Sequence, residues 1–288
     1  MFLADDWKDY ELIDTGDGEK LERWGKYILR RPDPQIIWPI ATKDEAWDHP
    51  HAQYHRSKTG GGTWDYFEEL PEEWNVSYGD LKFHVKPMGF KHTGLFPEQA
   101  VNWKWIIEKI KSRKAPVHVL NLFAYTGGAS VAAAYAGAEE VCHVDAAKGM
   151  ISWAKENIRL NGLESRTVRF IVDDAVKFVQ REARRGKQYD AIIMDPPSYG
   201  RGPNGEVWKI EDELYGLIEL CMNVLSPSPL FFLINSYTTG LAPTVLKNIL
   251  TLSMKRKYEG TITADEVGLP ISSSGLVLPC GSSGRWEA

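Results

Sequence analysis

A chain of 288 residues, 43% hydrophobic and 25% charged, has the composition of a globular protein and can build one large or two ordinary domains. A formal net charge of −5 argues against a chain coated in nucleic acid, although it leaves room for a local basic face. No apolar run approaches the ~20 residues that span a bilayer, and the acidic start, MFLADDWKDYELID, lacks the apolar stretch of a secretory signal. Cys142, Cys221 and Cys280 form no CxxC pair, so neither a disulfide framework nor a metal site is expected, and the cytoplasm is the expected compartment.

Eight of the eleven tryptophans precede residue 115. Alternation over Trp74 to Tyr78 and Leu81 to Val85 predicts strands, with turn signals at Gly79-Asp80 and Gly60-Gly61-Gly62. Residues 1–80 are expected to form a small β-rich domain, and 81–288 the second domain. Residues 98–114 predict an amphipathic lead-in helix whose basic end suits its dipole. From there strands and helices alternate. Strands are expected at 117–123, 141–145, 168–174, 189–195 and 229–235, with helices between them and another near 243–255; two last strands follow near 257–263 and 275–280. Such alternation predicts a parallel, doubly wound α/β sheet.

Ligands of such sheets bind at the carboxyl ends of the strands. The first strand ends in NLFAYTGGAS (121–130), where Gly127 and Gly128 permit a sharp turn and close backbone approach. The second ends in Asp145, a carboxylate placed to accept bonds from ribose hydroxyls, or equally to cap the next helix. The third ends in Asp173-Asp174-Ala175. There Asp174 is the better candidate for an adenine amino group, with the Ala175 N–H serving a ring nitrogen and helix capping the plainer role. The fourth ends in Asp195-Pro196-Pro197-Ser198-Tyr199-Gly200. Its prolines fix the backbone and turn carbonyls and a carboxylate to the cleft, beside a ring able to stack on a base. Asp195, Pro196, Pro197 and Tyr199 are therefore the candidate catalytic residues. Adenosine without a pyrophosphate points to S-adenosylmethionine (SAM), because the GxGxxG of dinucleotide enzymes is missing.

NLFAYTGGAS, VDAAKGMISWAKENIRLNGL, VDDA and DPPSYG, in this order, resemble the class I SAM-dependent methyltransferases. The chain is most similar to the branch that methylates bacterial large-subunit ribosomal RNA and includes cytosine-C5 enzymes. The resemblance implies a Rossmann-like, seven-stranded methyltransferase sheet behind a small β-rich N-terminal domain. It also implies SAM as cofactor and RNA, ribosomal RNA first, as substrate. It implies cofactor contacts from Phe123, Ala124, Tyr125, Thr126, Gly127, Asp145, Ala146, Asp174, Ala175 and Asp195. HTGLFPEQAVNWKW (92–105) is similar to the branch's segment before the sheet, which would place Phe96 and Gln99 near the methionine end of SAM. Glu98 and Ala100 stand where the branch has Asp and Arg.

Cytosine C5 needs a cysteine thiolate to add at C6 before methyl transfer. The branch's cytosine enzymes carry it after the fifth strand, where this chain has Asn235-Ser236-Tyr237-Thr238. Cys221 and Cys280 read as buried apolar residues, so direct transfer to nitrogen or oxygen is expected. Methylation of a small molecule or protein is the first alternative, and a non-catalytic SAM- or RNA-binding module the second. His49, His51 and His55 read as a polar loop. Arg181, Arg184, Arg185 and Lys187, and Lys109, Lys111, Arg113 and Lys114, form basic helix ends that could meet phosphates or simply complement helix dipoles.

Overall fold

The structure is a computed structural model and describes residues 1–57, 61–201 and 207–288. Gly60 of the expected glycine turn lies outside them. Two compact units divide the chain. One is Leu3–Ala100 with Gly268–Pro279; the other is Met1–Phe2, Val101–Val267 and Cys280–Ala288.

After the short β1 (Phe2–Leu3), the first unit holds β2 (Tyr10–Gly16), β3 (Glu19–Trp24), β4 (Tyr27–Pro32), β5 (Ala52–Arg56) and β6 (Gly62–Tyr66) in one sheet, in that order. Its pairs are antiparallel except β4 with β5. Asp17 (φ 51°) and Gly18 (φ 80°) turn β2 into β3, the two left-handed residues that a tight hairpin between twisted strands requires. β7 (Trp74–Tyr78) and β8 (Leu81–Val85) pair as their own hairpin through the expected Gly79-Asp80 turn. Leu12, Leu21, Trp24, Leu29, Val76, Phe83 and Val85 are fully buried in this unit. With them lies the ion pair of Arg31 with Glu22, at 2.6 and 2.8 Å.

The second unit carries α1 (Ala100–Ser112), β9 (His118–Leu122), α2 (Gly128–Tyr135), β10 (Glu140–Asp145), α3 (Lys148–Leu160), β11 (Val168–Val172), α4 (Ala175–Arg184), β12 (Ala191–Met194), β13 (Tyr199–Arg201), β14 (Val207–Lys209), α5 (Ile210–Cys221), β15 (Phe231–Ser236), α6 (Pro243–Met254), β16 (Thr261–Pro270) and β17 (Val277–Glu287). The large sheet runs β1-β16-β17-β15-β12-β9-β10-β11: seven substantial strands with the two-residue β1 at one edge. The five strands from β11 to β15 are parallel neighbours. β17 runs antiparallel to β15, so the sheet is not parallel throughout, as the alternation had suggested. The reversal enters where β16 and β17 follow one another through a short turn instead of a helical crossover. α1 starts at Ala100, and Pro97–Gln99 form a separate 3-10 turn before it, with Pro97 at the first position, where its missing N–H costs nothing.

β12 and β15 are buried along their whole length, as expected of parallel strands covered by helices on both faces. β9 is the central strand, with β10 on one side and β12 on the other. Successive strands diverge at this point, which opens a crevice at their carboxyl ends.

Candidate active site

The loop after β9 leaves the sheet in a strained conformation. Phe123 (φ 53°) and Tyr125 (φ 50°) both adopt left-handed backbone, as does Gly127 (φ 88°). Left-handed backbone costs a non-glycine residue about 1–2 kcal/mol, so the surroundings must hold it in place. Several contacts do. Ala124 N–H donates to the Val144 carbonyl at 3.0 Å, and Tyr125 N–H to Asp145 Oδ2 at 2.9 Å. The buried Asn157 amide donates to the Thr126 carbonyl at 2.8 Å. Ala124 and Thr126 are buried; Phe123 and Tyr125 are half-buried.

Asp145 closes β10. Its Oδ1 accepts the Ala147 N–H at 2.8 Å, so the carboxylate bridges the loop after β9 and the start of α3. Burial pushes its pKa up against these two amide bonds, and the charge is only partly satisfied by protein donors. Ala146 beside it is exposed. Asp174 caps α4, accepting the Lys177 N–H at 2.9 Å, and its exposed position leaves it open to solvent; Ala175 is buried. Asp173 is ion-paired to Arg181 and accepts the Asp174 N–H at 2.9 Å.

At the end of β12, Asp195 is half-buried, Pro196 buried, and Pro197 and Tyr199 exposed. The Pro197 carbonyl accepts the Trp208 indole N–H at 2.6 Å. The Trp208 ring packs 5.2 Å from that of Phe123, so a residue of the β13–β14 ribbon joins the ends of β9 and β12. The sequence reading missed Trp208. Its only signal is a lone aromatic eleven residues past Pro197. Ser198 Oγ lies 2.6 Å from Thr238 Oγ1, tying the same loop to the turn after β15.

Beneath the strained loop runs a buried polar chain that the reading also missed. Asn121 donates to Ser130 Oγ at 2.9 Å, and Ser130 Oγ lies 2.9 Å from His143 Nδ1. His143 is fully buried, its Nε2 has no hydrogen-bond partner among the described residues, and burial lowers its pKa to about 3. Asn121 and His143 are direct partners in the β9–β10 register. Two polar residues interrupting adjacent apolar strands were the available signal. A second network backs the turn after β15. Asn235 Oδ1 accepts from Asn102 at 3.0 Å and from Ser283 at 2.6 Å, and Arg285 Nε donates to Asn102 Oδ1 at 3.0 Å.

Phe96 and Gln99 belong to the first compact unit. There the half-buried Phe96 precedes the 3-10 turn, its ring lies 5.3 Å from that of His92, and its carbonyl accepts the buried Gln99 N–H at 3.0 Å. Cys142 and Cys221 are buried, and burial raises both thiols, Cys142 to about 11. Cys280 is only half-buried, against the expectation of a fully buried residue. None of the three lies in the turn after β15. The histidines do not converge: His51 faces Glu68 at 3.4 Å and His55 faces Asp65 at 3.1 Å. Among the described residues no group of three His, Cys, Asp or Glu could hold a metal ion, and no helix is long and apolar enough to cross a membrane. Much of the basic charge at the helix ends is paired internally: Lys109 with Glu287, Arg113 with Asp190 at 3.6 Å, Arg181 with Asp173, Arg185 with Glu182 at 3.0 Å and Lys187 with Glu140 at 3.1 Å.

Comparison with known proteins agrees with this architecture. A SAM-dependent methyltransferase crystal structure from Agrobacterium tumefaciens is 38% identical, with a TM-score of 0.93 over 99% of this chain and 93% of that one. The structure of SMU.776 complexed with SAH shares the fold at 20% identity, with a TM-score of 0.76 over 98% of this chain and 76% of that one. Among curated proteins, the ribosomal RNA large subunit methyltransferase K/L of Shewanella sp. (strain ANA-3) is 34% identical over 155 residues, 53% of this chain. The chain covers only 21% of that protein's length. Residues 28–234 match the S-adenosylmethionine-dependent methyltransferase family, and the chain belongs to it.

Proposed function

We propose that the chain methylates RNA, with large-subunit ribosomal RNA as the first candidate, by direct transfer of the SAM methyl group. The observation that supports this most is the meeting of three strand ends. The Phe123–Gly127 loop is held on Asp145, and the Asp195-Pro196-Pro197 loop is joined to it through Trp208 and Phe123. The residues suit SAM on one physical ground: Asp145 is a partly buried carboxylate whose charge would be stabilised by two further donors, such as ribose hydroxyls. In this reading Asp174 and the Ala175 N–H read the adenine edge, and Ala146 flanks the ribose. The backbone of Ala124 to Gly127 follows the rest of the cofactor.

SAM supplies an electrophilic methyl on a sulfonium. The protein then has to place a nucleophile in line with it and shield it from water, an effect of proximity and orientation. Pro196 and Pro197 fix the loop that receives the acceptor. Asp195 orients an amine or takes its proton, and the half-exposed Tyr199 ring offers a stacking surface to a base. With no cysteine in the turn after β15, the covalent route to cytosine C5 lacks its nucleophile. The RNA substrate comes from the K/L relatives' name, and a cytoplasmic site of action accompanies it.

Tritium transfer from labelled SAM to ribosomal RNA, followed by mass spectrometry of its nucleosides, tests the proposal. Label in one nucleoside, lost in Asp195→Ala, supports it. Label reaching only protein or small molecules would move the substrate elsewhere.

A further inference from the structure

The buried charges of the first unit are unevenly matched. Arg31 and Glu22 form a fully buried pair, and Tyr10 adds a hydroxyl donor to Glu22 at 2.8 Å. Burial alone would raise the Glu22 carboxyl, but the Arg31 and Lys20 charges overcome it and hold it at about 2. Lys20 also lies 3.7 Å from Glu22 and 3.6 Å from Asp33. These two acids are thus committed to Arg31 and Lys20.

Lys91 comes into the same neighbourhood because Arg31 Nη1 donates to its carbonyl at 2.7 Å. Its ammonium is half-buried and has no ion-pair partner among the described residues. Burial and then repulsion from Lys20, Arg31 and Arg56 lower its pKa, with only Asp33 opposing. His92 next to it is lowered to about 4 by burial and then by Arg31, Lys91 and Lys20, so the local field is positive. Arg56, at the end of β5, is exposed and likewise has no ion pair among the described residues. The segment carrying Lys91 is anchored where Trp64 donates to the Met88 carbonyl at 2.7 Å and Lys86 N–H to the Thr93 carbonyl at 3.0 Å. Between those anchors Phe90 is 60% exposed. Arg56 pairs in register with Gly62, and a Cβ at Gly61 would lie 3.9 Å from the Gly89 carbonyl, so the end of β5 meets the segment that carries Phe90 and Lys91. Two cations without an ion pair and an aromatic ring in water, on neighbouring segments, are the parts with which single-stranded nucleic acid is held: cations for the backbone and a ring for a base.

We propose that Arg56, Phe90 and Lys91 form an RNA-binding face of the first unit, in which the two cations contact backbone phosphates and Phe90 stacks on a base. This rests on the RNA reading above. It differs from that reading in placing the contact on the β-rich unit instead of on the basic helix ends, whose charges are largely neutralised internally.

The test is filter binding of a 20-nucleotide single-stranded RNA by the full chain across a salt series, with inorganic phosphate as competitor. The double variant Arg56→Gln with Lys91→Gln should bind at least tenfold more weakly at low salt. Each lost phosphate contact should reduce the salt slope by about 0.7. Phe90→Ala should weaken binding without changing the slope, and Lys247→Gln, on an exposed part of α6, should change neither. Removing a repelled lysine relieves strain, so an unchanged or higher melting temperature is expected of Lys91→Gln. RNA binding by the double variant with the wild-type slope overturns this face and leaves the RNA reading standing. Wild-type protein that binds no RNA overturns both. Competition by millimolar phosphate as complete as that by RNA overturns the backbone assignment in favour of a small phosphorylated ligand.

Discussion

Tyr125 donates its backbone N–H to Asp145 Oδ2 at 2.9 Å while its own backbone sits at φ 50°. The carboxylate at the end of β10 thus holds open, in a strained form, the loop at the end of β9. Strain of this kind persists only where neighbouring contacts fix it, and it concentrates at sites that need a preset backbone.

Gly127 completes the loop at φ 88°, where a Cβ would lie 3.0 Å from the Ala154 Cβ. Gly127→Ala should destabilise the protein by about 1–2 kcal/mol from left-handed strain alone, with weaker SAH binding in addition. Urea unfolding and calorimetry check both. A variant as stable as wild type would show that the loop relaxes without penalty.

Trp208→Phe keeps a ring against Phe123 but removes the donor to the Pro197 carbonyl. A lost hydrogen bond of about 1 kcal/mol predicts a roughly fivefold fall in kcat. The KM for SAM should hold, because the Asp145 side of the site is untouched. A change confined to KM would place Trp208 in cofactor binding instead.

Burial raises the Asp145 pKa, whereas donors brought by a ligand favour its charged form, so ligand binding should lower that pKa. In the acidic range between the two values, binding then releases protons, and affinity falls as pH drops. Titrations of SAH in buffers of different ionisation enthalpy measure the release. Proton uptake, or none, would contradict the assignment of the carboxylate as the ribose contact.

His143 is held neutral, its pKa lowered by burial to about 3, while an unfolded histidine takes a proton near 6.5. The unfolded state therefore binds more protons between those values. Stability should fall by up to about 1.4 kcal/mol per pH unit as the pH drops through that window. His143→Gln should flatten this part of the acid limb in urea unfolding followed against pH. An unchanged limb would assign it to other groups, His92 among them.

Apart from the β13–β14 ribbon, the strands and helices from β9 to α6 were legible as short apolar runs or amphipathic stretches, several of them closed by glycine or proline. The strand-end acids were legible for the same reason, since a charge closing an apolar strand stands out at Asp145 and Asp195. What joins those ends was not. Trp208 reaches Pro197 only through the β13–β14 ribbon, and Asn102, Asn235, Ser283 and Arg285 come together from three distant parts of the chain. His143 and Asn121 left a trace as polar residues in apolar strands, but only the parallel register sets them side by side. The antiparallel β17 was hidden because hydrophobic pattern marks a strand without giving its direction.

Calorimetric titration of SAH into wild-type protein and Asp145→Ala is the most direct test of the site. One binding site is expected in the wild type, with a loss of roughly 10- to 100-fold in the variant, the weight of one or two hydrogen bonds to a charged group. Equal affinity in the two proteins would contradict the assignment of Asp145 to the cofactor.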